Sequence, residues 1–205
     1  MAVNLQKGQR VDLRKSDGTA LRRVMVGLGW DEADKSGVSS AGFFGTLFGG
    51  SNTQDIDCDA SAFLCFNGKI RSNEDIIYFG NLEHSSGAVR HMGDNLTGEG
   101  EGDDEQIFVD LEDMPSGYDR IIFVVNIYKA RERAQHFGMI RNAFIRICDN
   151  ENGREMCRYN LSENYEGMTA MIFGEIYLRN GQWRFNAIGE AVKDNSISEL
   201  ARRFA

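Results

Sequence analysis

Short apolar segments separated by glycine, asparagine and aspartate restrict the fold of this chain more than any other feature of its sequence. The 205 residues contain 23 glycines and a single proline. Residues 121–128 are apolar on both faces, which predicts a strand in the middle of the core. Asn-Gly pairs favour tight hairpin turns, and the pair at 180–181 is the clearest of them. About nine strands are predicted, over residues 24–30, 61–66, 76–79, 106–111, 121–128, 143–148, 156–161, 169–179 and 182–188.

This alternation of strands and turns predicts a mainly β protein, a two-sheet antiparallel β-sandwich with a few short helices. Residues 129–137 are interpreted as one short helix. Ser196 is followed three residues later by Glu199, which is the spacing of a capping box and predicts a C-terminal helix over residues 200–204. The hydrophobic fraction of 41% is sufficient for a packed core, so we expect one domain over residues 1–205.

Charge and composition argue against several classes of protein. The chain has 23 basic and 31 acidic residues, a net charge of −8, and a pI near 5.0. A nucleic-acid partner is therefore not expected, because binding phosphates requires a basic surface. No segment is long and apolar enough for a membrane span, and the N-terminus has no apolar stretch typical of a signal peptide.

The cysteines predict neither a zinc site nor a disulfide framework. Their spacings contain no Cys-x-x-Cys pair and match no compact disulfide-rich pattern. Reduced thiols in a cytoplasmic protein are the simplest account of the four cysteines, Cys58, Cys65, Cys148 and Cys157.

An acidic, glycine-rich stretch over residues 93–105 is the strongest indication of function. It carries six carboxylates between positions 94 and 105, with no Lys or Arg, and glycines at 98, 100 and 102. Like charges this close repel one another by roughly 1 kcal/mol per pair, so an ordered loop needs a counter-charge. Ca2+ is the natural candidate, since it takes about six to eight oxygens from carboxylates, amides and carbonyls. The alternative is a solvated acidic loop.

Further carboxylates could complete such a site. Asp57 and Asp59 are two positions apart at the entry to a predicted strand, which places both on one face. Asp31 ends another strand. The stretch is not an EF-hand loop, because Glu99 occupies the sixth position, where that loop requires glycine. It also lacks the Gly-Lys-Ser/Thr of a phosphate-binding loop, and Mg2+ would prefer fewer carboxylates.

Two other features leave alternatives open. A possible nucleophile and base of a metal-dependent hydrolase are suggested by His84, Ser85, Ser86 and His91. Imidazoles near carboxylates, however, more often act as hydrogen-bond supports. Residues 34–53 are rich in glycine and serine and interrupt the strand pattern. Their apolar side chains could dock a partner or a membrane surface, or cover an edge of the sandwich itself; these side chains are Phe43, Phe44, Leu47 and Phe48.

Taken together, the chain resembles the TerD family of bacterial tellurite-resistance and general-stress proteins. The most specific match is the Gly-Asp-Asn-Leu-Thr-Gly-Glu-Gly-Glu-Gly-Asp-Asp-Glu run at 93–105, and the likeness covers nearly the whole chain. Other matching segments are residues 26–31, 57–64, 123–125, 137–138, 143–146 and 181–185. Relative to that family, residues 34–53 are an insertion in the single domain, and the C-terminal tail lacks a glycine-rich ending.

The resemblance implies a cytoplasmic β-sandwich whose loops hold calcium, with more than one ion expected. It also implies partners among other tellurite-resistance proteins, in some cases at the inner face of the membrane. The metal-site residues implied by position are Asp31, Asp57, Asp59, Asp94, Asn95, Glu99, Asp103, Asp104 and Glu105, with the carbonyls of Leu96 and Gly100 as further donors. The sequence therefore predicts a non-enzymatic, calcium-binding stress protein; the alternatives are a metal-dependent hydrolase and a scaffold acting through residues 43–48.

Overall fold

Two six-stranded sheets are formed by the residues that the computed structural model describes, namely 2–32, 56–93 and 102–205. In the first sheet the strands are β1 (Val3–Leu5), β3 (Arg23–Glu32), β6 (Val89–His91), β7 (Glu105–Asp110), β9 (Ile140–Asp149) and β10 (Arg154–Asn160). In the second they are β2 (Arg10–Asp12), β4 (Cys58–Phe66), β5 (Ile76–Ile77), β8 (Tyr118–Ile127), β11 (Ala170–Arg179) and β12 (Gln182–Val192).

The order of strands is β1-β10-β9-β3-β7-β6 in the first sheet and β2-β12-β11-β8-β4-β5 in the second. All pairs are antiparallel except β1 with β10. The inner faces of both sheets supply the main hydrophobic cluster, to which β3 contributes Val26 and β8 contributes Phe123. The predicted two-sheet antiparallel sandwich is confirmed.

Strand β8 is buried on both faces, as its apolar sequence predicts. Residues 121–127 are all buried. Phe123 faces the main cluster, whereas Ile122 and Val124 belong to a second cluster on the outer face of the second sheet. The C-terminal helix α1 (Ile197–Ala201) covers that outer face and contributes Leu200 to the second cluster. A third layer over one sheet thus explains the continuous apolar run.

Helix α1 begins where its cap predicts. The side chain of Ser196 accepts a hydrogen bond from the backbone N–H of Glu199 at 3.1 Å. The carboxylate of Glu199 accepts from the N–H of Asn195 at 2.8 Å. A short 3-10 helix, Arg202–Phe204, follows and completes the predicted C-terminal helical segment.

The helix predicted over residues 129–137 is wrong. The segment forms successive turns, and only Phe137–Met139 is a short 3-10 helix. Lys129 and Ala134 have φ values of 52° and 51°, a left-handed conformation that interrupts a right-handed helix. The identities of these two residues did not indicate their backbone angles.

The predicted Asn-Gly turns are present. Asn180 and Gly181 have φ of 52° and 72° and join β11 to β12, and Asn67 and Gly68 have φ of 50° and 81° after β4. Positive φ at both central residues is the geometry that a primed hairpin turn requires. Strand β5 is shorter than predicted, because residues 78–81 leave the sheet in a turn closed by the Tyr78–Asn81 bridge.

Candidate metal centre

Acidic residues that lie far apart in the sequence meet at one end of the sandwich. Strand β3 ends and strand β7 begins there, with Leu28 opposite Glu105 in the antiparallel pair. The carboxylate of Glu105 reaches the other sheet and accepts from the N–H of Ala60 in β4 at 2.8 Å. The end of β3, the start of β4 and the start of β7 are therefore close together.

Asp31 and Asp104 line the same cavity, which has a volume of about 700 Å³ and lies on the outer side of the first sheet. The Oδ2 of Asp104 accepts from the N–H of Trp30 at 2.6 Å, and the Oδ2 of Asp31 accepts from Nδ2 of Asn142 at 2.7 Å. Neither carboxylate forms an ion pair with a lysine or arginine in the described part of the chain. Two oriented carboxylates thus share a space with Arg146 and Arg158, whose guanidinium groups pair with Asp103 and Glu155 instead.

Burial is the main cause that raises the pKa of Asp104, and the negative charges on Asp31 and Asp103 raise it further. The hydrogen bond from the Trp30 N–H lowers it, but by less. A raised carboxyl pKa means that the surroundings disfavour the ionised form. A cation in the cavity would reverse this effect by compensating the negative charge. Asp104 is thus a partly buried carboxylate whose charge is disfavoured by its surroundings, although Arg146 and Arg158 also line the cavity.

Asp103 has different surroundings. Its side chain is 0% exposed, and its two oxygens accept from Nε and Nη2 of Arg146 at 2.6 and 2.9 Å. Nε2 of Gln106 also donates to it, at 3.1 Å. Gly27 makes room for this pair, since a Cβ at that position would collide with the carboxylate. The ion pair raises the pKa of Arg146 above its already high ordinary value.

Glu105 is held inside the sandwich with His91. The Glu105 side chain is 4% exposed, and its Oε2 lies 3.0 Å from Nε2 of His91. Nδ1 of His91 accepts from the N–H of Gly93 at 3.0 Å, so Nε2 carries the proton and donates. His91 therefore acts as a hydrogen-bond support for a carboxylate, as the sequence argument favoured.

Asp57 and Asp59 lie at the same end but do not line the cavity of Asp31 and Asp104. Asp57 is exposed, and its Oδ2 is 3.6 Å from Nη1 of Arg133. Asp59 is half-buried in β4, opposite Asn126 in β8, and lines a separate large cavity. The predicted acidic set is thus divided between two sides of the sandwich.

The remaining predicted ligands lie outside the described residues, and they are Asp94, Asn95, Leu96, Glu99 and Gly100. Residues 34–53, with the apolar side chains at 43–48, also lie outside them. Within residues 2–32, 56–93 and 102–205, no group of three or more His, Cys, Asp or Glu side chains is arranged to hold a metal ion. A complete coordination sphere would therefore need oxygens from residues 94–101 or from solvent.

The hydrolase alternative rests on His84, whose ring connects Asp75 and Ser86. Nε2 of His84 is 3.4 Å from Oδ1 of Asp75, and Nδ1 is 2.7 Å from Oγ of Ser86. The same serine accepts from the N–H of Ala88 and donates its own N–H to Nδ1, at 3.2 Å in both cases. These are the bonds of a local turn, and neither His84 nor Ser86 lines either of the large cavities. Nothing in this arrangement favours catalysis.

The sequence argument missed Trp30, Asn142 and Arg146 as residues that orient the acidic side chains. Trp30 acts through its backbone N–H, which no side-chain pattern reveals. Arg146 was visible only as part of the family match at 143–146, without an indication of its partner. All four cysteines are buried and unpaired, and burial raises the pKa of Cys65 and of Cys157 to about 12.

The fold and this acidic end define a class, namely two-sheet β-sandwiches with clustered carboxylates at one end. The family model for the TerD domain matches residues 1–204, and the chain belongs to the TerD family. Stress response protein SCP2 of Bacillus subtilis (strain 168) is 48% identical over 204 residues, covering 100% of both chains. Tellurium resistance protein TerD of Serratia marcescens is 45% identical over 203 residues, covering 98% of this chain and 97% of the relative.

A solved structure supports the same fold. The crystal structure of a homologue of telluride resistance protein (TerD) from Streptomyces coelicolor A3(2) superposes with a TM-score of 0.63 at 18% identity. It covers 91% of this chain and 99% of that one. Within the described residues, no helix has the length and apolar character needed to cross a membrane.

Proposed function

We propose that this TerD-family protein is a non-enzymatic, calcium-binding protein of the bacterial stress response, of the tellurite-resistance type. The observation that supports it best is the pair Asp31 and Asp104, which line one cavity while the arginines that also line it pair with Asp103 and Glu155. Carboxylate oxygens are the ligands that Ca2+ prefers, and the raised pKa of Asp104 fits a site designed for a cation. The relatives named for tellurium resistance and stress response supply the biological context.

The residues that would hold calcium are Asp31 and Asp104, joined by oxygens from residues 94–100. Two carboxylates fall short of the six to eight oxygens that the ion takes, so donors such as Asp94, Asn95 and Glu99 are needed to complete the site. When bound, the ion supplies positive charge that offsets repulsion among the carboxylates. More than one ion is proposed, since Asp57 and Asp59 lie on another side.

The chain's own residues prepare this end of the sandwich for binding. The Trp30 N–H and the Asn142 amide fix the orientation of the two cavity carboxylates before any ion arrives. The Asp103–Arg146 pair attaches the segment before β7 to the first sheet, and Glu105 attaches its first residue to the second. Calcium binding between these anchors would stabilise both sheets at once. We propose that the end of the sandwich, once ordered in this way, permits docking of partner proteins in the cytoplasm.

The test is a calcium titration by calorimetry, combined with thermal melts in calcium and in chelator. A free calcium concentration one hundred times Kd should stabilise the fold by about 2.7 kcal/mol. The absence of both a binding heat and a melting shift would refute the proposal.

Two neighbouring carboxylates provide matched variants. Asp104→Asn keeps an oxygen acceptor for the Trp30 N–H but removes the charge, so we expect at least about a tenfold loss of calcium affinity. Asp103→Asn should keep calcium affinity within about threefold and reduce stability instead. Equal effects of the two substitutions on affinity would contradict the assignment of Asp104 to the site and of Asp103 to the framework.

A further inference from the structure

The cavity of Asp31 and Asp104 has a second wall of a different character. The two carboxylates lie at the end of β3 and just before β7, whereas Arg158 and Asn160 line the cavity from β10. Because β9 lies between β10 and β3 in the sheet, the acidic wall and the β10 wall are on opposite sides of that strand. Arg158 and Asn160 are two positions apart in one strand, so their side chains lie on the same face.

The guanidinium group of Arg158 is fixed in place with one edge unused. Its Cζ lies 4.0 Å from the centre of the Phe144 ring, and that ring packs over Gly29, where a Cβ would collide with it. Nε and Nη2 of Arg158 donate to the two carboxylate oxygens of Glu155, at 3.3 and 3.1 Å. Nη1 makes no hydrogen bond within the described part of the chain, and the side chain is 28% exposed. A planar edge formed by Nη1 and the second N–H of Nη2 is therefore available to an acceptor.

The two arginines of the cavity differ in this respect. All three guanidinium nitrogens of Arg146 are engaged, Nε and Nη2 by Asp103 and Nη1 by Glu155 at 3.2 Å. Asn160, opposite Phe144 in the pair of β9 and β10, is exposed and its side chain has no hydrogen-bond partner among the residues described. The β10 wall thus offers donors to a ligand, and a fixed guanidinium edge is the donor that suits an oxyanion.

The charges around the cavity make anion binding dependent on a cation. The two arginines are balanced by their two carboxylate partners, so Asp31 and Asp104, when ionised, leave an excess of two negative charges. An anion at Arg158 is repelled by that excess. A divalent cation held by Asp31 and Asp104 would remove the repulsion. Binding at the β10 wall therefore rests on the calcium proposed above and should be coupled to it.

We propose that, with calcium bound, this cavity takes a phosphate monoester between the ion and Arg158. A phosphate monoester has three terminal oxygens, which is enough for a bidentate contact with the guanidinium edge and one oxygen for the ion. A carboxylate has only two oxygens and a single charge. Trp30 and Leu161 also line the cavity and would contact the organic part of the ester, for which its volume of about 700 Å³ leaves room. The chemistry is the same for a soluble ester and for a lipid headgroup, which the test separates.

The test is a calorimetric titration of phenyl phosphate into the full chain, at saturating calcium and in chelator. We expect binding in calcium and at least about tenfold weaker binding in chelator. By linkage, phenyl phosphate should raise the calcium affinity by the same factor. Benzoate, which keeps the ring and replaces the phosphate by a carboxylate, should bind at least about tenfold more weakly. Equal affinity for phenyl phosphate in calcium and in chelator, or no binding in either, would overturn the proposal.

A second experiment distinguishes the source of the phosphate. Phosphatidylcholine vesicles with a minor fraction of phosphatidic acid are sedimented with the protein in calcium, with and without phenyl phosphate. Sedimentation that phenyl phosphate reverses supports the site and assigns it to a lipid headgroup. Binding of phenyl phosphate without sedimentation supports the site and assigns it to a soluble ester. Sedimentation that phenyl phosphate does not reverse counts against the site, because the lipid then contacts another surface.

Matched arginine variants localise the phosphate. Arg158→Lys keeps the positive charge but removes the planar edge, so phenyl phosphate should bind at least about tenfold more weakly. Glu155 keeps its hydrogen bond from Arg146 in this variant, and a melting curve checks that the fold is retained. Arg154→Lys is the control, because Arg154 is exposed in the same strand and does not line the cavity. Equal losses in the two variants, or none in Arg158→Lys, would contradict the assignment.

This proposal and the calcium proposal fail in different ways. Arg158→Lys should keep calcium affinity within about threefold, since Arg158 is not a proposed ligand of the ion, whereas Asp104→Asn should lose calcium and phenyl phosphate together. If calcium binds to the unmodified chain and phenyl phosphate does not, only the phosphate site falls. The absence of any calcium heat or melting shift would refute the function proposed for the acidic end itself.

Discussion

Replacing Arg146 tests whether the acidic end depends on a buried ion pair. Arg146→Met keeps most of the side-chain length but leaves the carboxylate of Asp103, which is 0% exposed, without its two guanidinium hydrogen bonds. Removing one partner of a buried pair typically costs about 3–5 kcal/mol, because the other charge stays buried and unpaired. We expect a large loss of stability.

Two features of the structure place the expected loss of stability below that range. Arg146 is 25% exposed, which screens part of the interaction, and Gln106 still donates to Asp103 in the variant. Glu155 loses its bond to Arg146 but keeps Arg158, at 3.1 Å. The free energy of unfolding should therefore fall by about 2–3 kcal/mol, which for a chain of this size lowers Tm by about 5–10 °C.

The assay is denaturant unfolding of a double-mutant cycle. The cycle comprises Asp103→Asn, Arg146→Met and the double variant, compared through the midpoints at constant m value. We expect the double variant to be more stable than the sum of the single effects predicts, with a coupling energy of about 1–3 kcal/mol. Additivity within about 0.5 kcal/mol, or a loss below about 1 kcal/mol in Arg146→Met, would refute the inference that this pair supports the end of the sandwich.

Substitutions at three further positions test the structure by denaturant unfolding. Gly27→Ala should cost about 1–3 kcal/mol, because its Cβ collides with the carboxylate of Asp103, and an unchanged midpoint would contradict that packing. Tyr118→Phe removes a 2.6 Å hydrogen bond to Asp75 and should cost about 1–3 kcal/mol. Burial opposes ionisation of Asp75, but hydrogen bonds, led by the one from Tyr118, lower the pKa of its carboxyl group below the unfolded value of 3.8. The stability that these bonds contribute is therefore present above the unfolded pKa and is lost as the pH falls through the pKa of the folded state. Acid unfolding of Tyr118→Phe should accordingly occur at higher pH than in the unmodified chain. Ser196→Ala should cost about 1 kcal/mol by removing the helix cap, and Ser196→Asp should restore most of it.

Local signals in the sequence predicted most of the fold because the physical cause and the residues lie together. Asn180 and Gly181 adopt the positive φ that their turn requires, and Ser196 caps the helix that its spacing predicted. The buried strand β8 was evident from its apolar run. The predicted helix at 129–137 failed because two residues, Lys129 and Ala134, take left-handed angles that their identities do not favour.

The candidate sites were less predictable because they depend on contacts between distant residues. Asp103 and Arg146 are 43 positions apart, and nothing in either local sequence identifies the other as its partner. Asp104 is oriented by a backbone N–H, which any residue at position 30 except proline would supply. The sequence could count carboxylates, but it could not tell which of them are already occupied.

The three consecutive acidic residues at 103–105 show why that distinction matters. Asp103 lies over Gly27 on the first sheet and is neutralised by Arg146, whereas Glu105 reaches the second sheet and bonds to Ala60. Asp104, between them, accepts the Trp30 N–H, forms no ion pair with a basic residue in the described part of the chain, and has a raised pKa. Because successive side chains near a strand point in different directions, one acidic run can supply two anchors and one carboxylate available to a cation. The anchors hold the available carboxylate between the two sheets, which is the arrangement expected if binding at that position is to stabilise the whole sandwich.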